Sequence, residues 1–158
     1  MEKLVNKLQQ AHPDLLFTPG ETACWSPGGK QIFYNETDQQ PALAGLLHEL
    51  GHARLGHSTY HSDMELLKKE VQAWEEAKRL AQEYDVILDD EHIEDCLDTY
   101  RNWLYKRSLC PTCQTTGLQK HIRRYICLNC NQTWQVTSAR FCRPYRRSKT
   151  AKKENTGQ

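Results

Sequence analysis

The stretch Pro41-Ala42-Leu43-Ala44-Gly45-Leu46-Leu47-His48-Glu49-Leu50-Gly51-His52 decides how the rest of the chain is read. Proline is best tolerated in the first turn of a helix. With the apolar run behind it, Pro41 predicts a buried helix from Gln40 or Pro41 to Gly56, a residue suited to a left-handed C-cap. Residues four apart stack on one helix face, so His48 and His52 offer two imidazoles to a single tetrahedral Zn²⁺. Histidines buried in a helix need partners or a metal. Glu49 points beside such an ion rather than at it, placed to take a proton from water whose pKa the zinc lowers to about 7. The pattern H-E-x-x-H is thus a kit for metal-assisted hydrolysis.

A catalytic zinc takes three protein ligands and leaves one position for water. The candidates for the third are His57, His61, Glu65 and Glu70. His57 follows the helix-ending Gly56 and so leaves the His48/His52 face, while His61 returns only if its loop folds back. Glu70 lies on the next helix one turn before Trp74, facing the same way as Ala73 and Ala77, whose small side chains allow two helices to approach. Tyr60 and His61 are the candidates for stabilising an oxyanion.

Outward from the metal helix, residues 2–11 read as an amphipathic helix stopped near His12-Pro13. Leu15 to Phe17 read as a strand broken by Pro19-Gly20. Thr22–Trp25 and Gln31–Tyr34 flank Pro27-Gly28-Gly29 as a hairpin would, which predicts a small antiparallel sheet. Ser62 and Glu65 form a capping-box pair before a helix reaching Tyr84. A further helix begins at Asp89 or Asp90, acidic in its first turn and basic in its last, as its dipole favours.

The net charge of +1 hides a division. Residues 1–100 hold 8 Lys+Arg against 19 Asp+Glu, and residues 101–158 hold 13 against 1. A split that sharp predicts two functional regions. No apolar run is long enough to span a membrane, and Met1-Glu2-Lys3-Leu4-Val5 lacks the plan of a signal peptide. The expectation is a cytoplasmic protein whose seven cysteines are thiols or metal ligands.

Four of those cysteines form two C-x-x-C pairs, Cys110/Cys113 and Cys127/Cys130, with 13 residues between the pairs. Two such knuckles supply four thiolates at tetrahedral geometry, a closed structural zinc site. Tyr125, Ile126, Trp134 and Val136 offer little apolar surface, so the metal must provide most of the stability. Cys24, Cys96 and Cys142 read as small apolar residues. Around the knuckles stand His121, Arg123, Arg124, Arg140, Arg143, Arg146 and Arg147, with Tyr125, Trp134, Phe141 and Tyr145 interleaved. Cations among aromatics suit phosphates and stacked bases, so DNA or RNA is a candidate partner; an acidic protein surface is the rival.

The segment His48-Glu49-Leu50-Gly51-His52-Ala53-Arg54-Leu55-Gly56-His57 resembles the active site of the ImmA/IrrE-type metallopeptidases, a minimal branch of the gluzincins. That family places a glutamate ligand on a second helix in an E-x-x-A context, which Glu70-Val71-Gln72-Ala73 matches. The resemblance therefore implies that His48, His52 and Glu70 hold a catalytic zinc, with Glu49 as general base. His57 matches a histidine common in the family. Trp74 departs from it, since an Asn or Asp usually follows the alanine. The resemblance implies a zinc endopeptidase acting on a protein substrate, a DNA-bound regulator among them, with the four-cysteine module for targeting. The SprT-like proteases are similar in joining H-E-x-x-H to a C-terminal four-cysteine ribbon. The alternatives are a nucleic-acid-binding or toxin-system protein with a non-proteolytic zincin half, and a SprT-like DNA-associated protease. The expected architecture is α+β: a zincin-like domain over residues 1–107 with a small antiparallel sheet, a small β zinc ribbon over 108–138, and a basic, disordered tail over 139–158.

Overall fold

Four helices and two small sheets make up the computed structural model, which describes residues 1–137 and the backbone of residues 146–148. They fall into two compact units, Met1–Tyr60 with Met64–Asp98, and His61–Asp63 with Thr99–Gln158. Among the described residues no helix is long and apolar enough to cross a membrane.

In the first unit, α1 (Glu2–Ala11) turns Leu4, Val5 and Leu8 inward. Strands β1 (Leu16–Pro19), β2 (Cys24–Ser26) and β3 (Gln31–Tyr34) form a sheet in the order β1-β3-β2. The β2–β3 hairpin is antiparallel and closes over a 3-10 turn at Pro27–Gly29. The expected all-antiparallel sheet is corrected here, because β1 pairs parallel with β3. Residues 20–23 make a wide return from β1 to β2, leaving a strand-width gap that β3 fills, so β1 and β3 run the same way. The backbone N–H of Gly20 donates to the Tyr34 carbonyl at 2.8 Å and ties that return to the end of β3.

Helix α2 (Gln40–Arg54) follows, with Pro41 in its first turn and Leu46, Leu47, His48, Leu50 and Gly51 buried. Its C-terminus closes around Gly56 at φ +64. There the Gly56 N–H donates to the Ala53 carbonyl at 3.1 Å and the His57 N–H to the His52 carbonyl at 2.9 Å. This pair of bonds satisfies two of the carbonyls that a helix end leaves open, and the left-handed residue it needs is most cheaply a glycine.

Helix α3 (Asp63–Glu83) lays Ala73, Trp74, Ala77, Leu80 and Ala81 into the core. It crosses α2 at Gly51, where a Cβ would stand 2.5 Å from the Ala73 carbonyl oxygen. Side-chain volume is therefore excluded at the crossing by backbone, which cannot rotate away. A turn further on, the buried Glu76 carboxylate holds Arg54 at 3.0 Å and Arg79 at 2.8 Å. Ile93 and Leu97, from the first turns of α4 (Asp90–Ser108), complete this core with Leu8, Ile32 and Leu50.

In the second unit, β4 (Leu118–His121), β5 (Arg124–Ile126), β6 (Thr133–Val136) and β7 (Arg146–Ser148) form an antiparallel sheet in chain order. Residues Arg146–Ser148 were expected in an unordered tail and instead pair with Trp134–Val136. The edge of β6 presents free backbone donors and acceptors, and β7 satisfies them. The remainder of the expected tail lies outside the described residues. Tyr125 and Trp134 stack at 5.5 Å with 10° between their planes, and Cys110, Cys127 and Val136 pack with them. Arg107, from the last turn of α4, is fully buried under the Trp103 ring at 4.4 Å.

Gly51→Ala is the sharpest test of the α2–α3 crossing. Alanine favours a helix by about 1 kcal/mol over glycine, but the clash with the Ala73 carbonyl carries an overpacking cost of about 1–3 kcal/mol. The expected result is a lowered melting temperature together with weaker metal binding, measured by thermal denaturation and metal titration. A stabilised variant would refute the crossing.

Candidate metal centres

Helical spacing puts His48 and His52 on one face of α2, and the α2–α3 crossing brings Glu70 to them. His48 Nε2 and His52 Nε2 face each other at 3.1 Å. Glu70 Oε2 lies 3.2 Å from His48 Nε2 and 3.6 Å from His52 Nε2. Ligands bound at about 2.0–2.2 Å to a tetrahedral ion stand roughly 3.3–3.5 Å apart, so the triangle has the edges of a metal site of that size. The triad residues His48 and Glu70 are buried and His52 is partly so. Burial works to raise the Glu70 pKa, but hydrogen bonding to His48 and His52 outweighs it and holds the carboxylate at about 2. A carboxylate and two imidazoles are an appropriate donor set for a divalent ion.

His57, His61 and Glu65, the other candidates for a third ligand, stand outside this cluster. His57 nevertheless comes back toward it, against the expectation that it leaves the face. The turn at Gly56 brings His57 Nδ1 within 2.9 Å of His52 Nδ1. Burial first, then the charges of His52 and Lys69, lower its pKa, so it favours the neutral ring. If His52 gives Nε2 to a metal, its proton sits on Nδ1 and is donated to His57 Nδ1, the orienting bond metal-bound histidines ordinarily make. His48 is held differently. Its Nδ1 has no partner among the described residues, and its ring lies against Trp74 at 4.2 Å and 30°. Trp74 thus supplies an aromatic wall to the His48 ring.

Glu49, the residue after His48, is half-buried, and the backbone N–H of Trp25 on β2 donates to its Oε2 at 2.7 Å. The indole Nε1–H of the same tryptophan donates to the His57 carbonyl at 2.7 Å. Trp25 escaped the reading of the sequence, where it stood only as a strand residue 24 positions before Glu49. Its one available signal was an aromatic on the strand that hairpins just ahead of the metal helix. Tyr60 is half-buried and His61 exposed. Cys24 is exposed, and burial of its sulfur followed by the charge of Glu49 raises its pKa. Cys96 is half-buried with its sulfur 3.7 Å from His92 Nε2.

The second centre gathers Cys110, Cys113, Cys127 and Cys130. The sulfurs of Cys110 and Cys130, and of Cys113 and Cys130, are 3.6 Å apart, and those of Cys113 and Cys127 are 3.4 Å apart. Sulfurs at about 2.3 Å from a tetrahedral ion stand roughly 3.8 Å apart, so the cluster has about the size of a four-thiolate metal site. The two knuckles are built alike. In each, the N–H of the first cysteine donates to the carbonyl five residues on, Thr115 or Gln132, and its own carbonyl accepts from Gln114 or Asn131. Gln114 and Asn131 both take left-handed φ, 60° and 56°. Hydrogen bonds from Thr115 and then Asn129 hold Cys113 at about 5. A backbone bond from Gln132 lowers Cys130, but burial and the crowding of the other sulfurs push it up to about 12. Four sulfurs this close become thiolates together only around a cation.

Of the expected nucleic-acid-binding residues, Arg123 and Arg124 are exposed. Arg146 and Arg147 contribute backbone to β7, and Arg140 and Arg143 lie outside the described residues, as does Cys142, which was read as a small apolar residue. Compared with family models, curated proteins and solved structures, the chain matches none.

Metal analysis of the purified chain is expected to give two ions, falling to one in His48→Ala and to one in Cys127→Ser. Equal loss of both ions in either variant would show that the centres are not separate. His57→Ala is expected to weaken the first centre's affinity about 10- to 100-fold. His57→Asn, whose carboxamide oxygen replaces the acceptor at Nδ1, should restore most of it. Competition against a chelator measures both.

Proposed function

We propose that the chain is a zinc-dependent endopeptidase of the minimal gluzincin kind, acting on a protein substrate, with the four-cysteine centre as a structural zinc ribbon. The observation that carries this reading is the convergence of His48 Nε2, His52 Nε2 and Glu70 Oε2 within 3.6 Å; the carboxylate of the next residue in the chain after His48, Glu49, is a separate group held by the Trp25 amide. A purely structural site has no use for that fourth group. The resemblance of the His48–His57 segment to the ImmA/IrrE-type enzymes supports the same assignment.

His48, His52 and Glu70 would hold the catalytic zinc. Zinc bound there supplies Lewis acidity, which makes water acidic near neutral pH and polarises a carbonyl. The remaining work falls to the chain. Glu49, anchored through the Trp25 amide, accepts the proton of the attacking water and returns it to the departing amine, a general acid–base contribution of about 10²–10⁴. One carboxylate oxygen carries the Trp25 bond, which leaves the other for the proton. His57 fixes the ring of His52, and Trp74 fixes that of His48 and keeps water from its face. In the ribbon, the zinc would stand in for the core that Tyr125, Trp134 and Val136 are too few to make.

Glu49→Gln separates hydrolysis from folding. The variant is expected to keep two zinc ions and the wild-type melting temperature, and to lose at least about 10²-fold in cleavage. The measurement is labelling of new N-termini in a proteome-derived peptide library incubated with each protein. Equal numbers of new termini from the two proteins, or none from a fully zinc-loaded wild type, would overturn the assignment.

A further inference from the structure

Hydrolysis leaves unused the strongest electrostatic feature of the second unit. Residues 99–137 contain no Asp or Glu at all. The one carboxylate among the described residues of this unit, Asp63, is buried and committed. It accepts from the Tyr125 hydroxyl and from Gln119 Nε2 at 3.1 Å, and lies 3.8 Å from Arg107 Nη2. The accessible charge here is therefore of one sign, and it is concentrated on the β4–β5 hairpin. Lys120, His121, Arg123 and Arg124 are all exposed within five residues.

The hairpin is also braced. Its register shifts between Gln119 and His121, leaving Lys120 without a partner across the ladder. The carbonyl of Ile122 at the tip accepts from Arg107 Nη2 and from Gln119 Nε2, each at 3.2 Å. The Arg123 carbonyl accepts from the Val136 N–H at 3.0 Å. A buried guanidinium and a half-buried amide thus brace the tip while the cations are exposed, so binding loses little ordering entropy.

The aromatics narrow what such a surface can recognise. Tyr125 and Trp134 are 3% and 2% exposed and spend their faces on each other, so they are core and not platforms for bases. The sequence reading of stacked bases is corrected on these two residues, and what is left is attraction to phosphate. Protein interfaces pair both signs of charge, whereas a duplex offers a negative charge every 1.7 Å or so of its axis.

We propose that the β4–β5 hairpin, through Lys120, Arg123 and Arg124, is a contact surface for the phosphate backbone of nucleic acid, binding without reading bases. The surface is independent of the peptidase assignment, and the two fail separately.

The test is fluorescence anisotropy of the full-length, zinc-loaded chain with labelled duplexes of two unrelated sequences, across about 50–200 mM salt. Wild type is expected to bind both sequences equally, with affinity falling linearly on a logarithmic salt scale. Lys120→Ala/Arg123→Ala/Arg124→Ala should reduce the magnitude of that slope by about 0.9 for each contact removed, nearly 3 in all, with zinc content unchanged. Lys120→Glu alone is a second variant with the same direction and a minimal effect on the ladder. Glu49→Gln should bind as wild type does. An unchanged slope in the triple variant, a marked preference for one sequence, or equal competition by polyglutamate at matched charge would each overturn the proposal; the last would identify an acidic protein surface as the partner.

Discussion

Everything at the first centre depends on how closely two helix backbones meet. A carboxylate reaches only a few ångströms from its own main chain, so Glu70 can join His48 and His52 only if α3 lies almost in contact with α2. Gly51 makes that possible by presenting no side chain to the Ala73 carbonyl. The glycine inside H-E-L-G-H, a wildcard position in the motif, is then as constrained as the two histidines, although it touches no ligand atom. Glu76, bridged to Arg54 and Arg79, holds the same pair of helices a turn beyond the crossing.

The second unit solves a different problem. Among its described residues the apolar cluster is five residues, two of them cysteines, too few to offset the entropy of ordering the chain. The four sulfurs and the buried Arg107 share that task. Arg107 stacks on Trp103, lies near Asp63 and donates to the hairpin tip, while its own carbonyl accepts from Trp134 Nε1 at 3.0 Å. One residue at the end of α4 thereby ties helix, sheet and hairpin together.

What was legible in the sequence followed local rules. The limits of α1, α2, α3 and α4 fell within a residue or two of the capping and periodicity signals, since Pro41, Gly56, Ser62 and the acidic start of α4 act on their own turns. The β2–β3 hairpin was legible from Pro27-Gly28-Gly29 for the same reason. The α+β class followed, and so did the four-cysteine cluster, whose spacing is its own evidence. Non-local choices were not legible. Nothing in Leu16–Pro19 says that it runs parallel to β3, because that depends on which strand occupies the gap between β1 and β2. Nothing in Arg146–Ser148 announces a strand, because its reason to form is the open edge of β6. The pattern of Tyr125 and Trp134 among arginines suited base stacking as well as burial, and only their mutual stacking separates the two. Glu70 could be placed on the right helix and facing the right way, but whether it arrives is decided by Gly51 and Ala73 acting across the crossing.

The hold on Glu49 comes from a main-chain amide, and this has a consequence for how the protein tolerates change. Any L-residue other than proline keeps an N–H at position 25, so drift in the side chain there leaves the carboxylate anchored. What drift would release is the indole bond to the His57 carbonyl, and with it the loop that steadies His52. The two halves of one tryptophan are thus subject to different selective filters: the backbone half excludes a single amino acid, whereas the ring half admits only residues that can reach across with a donor.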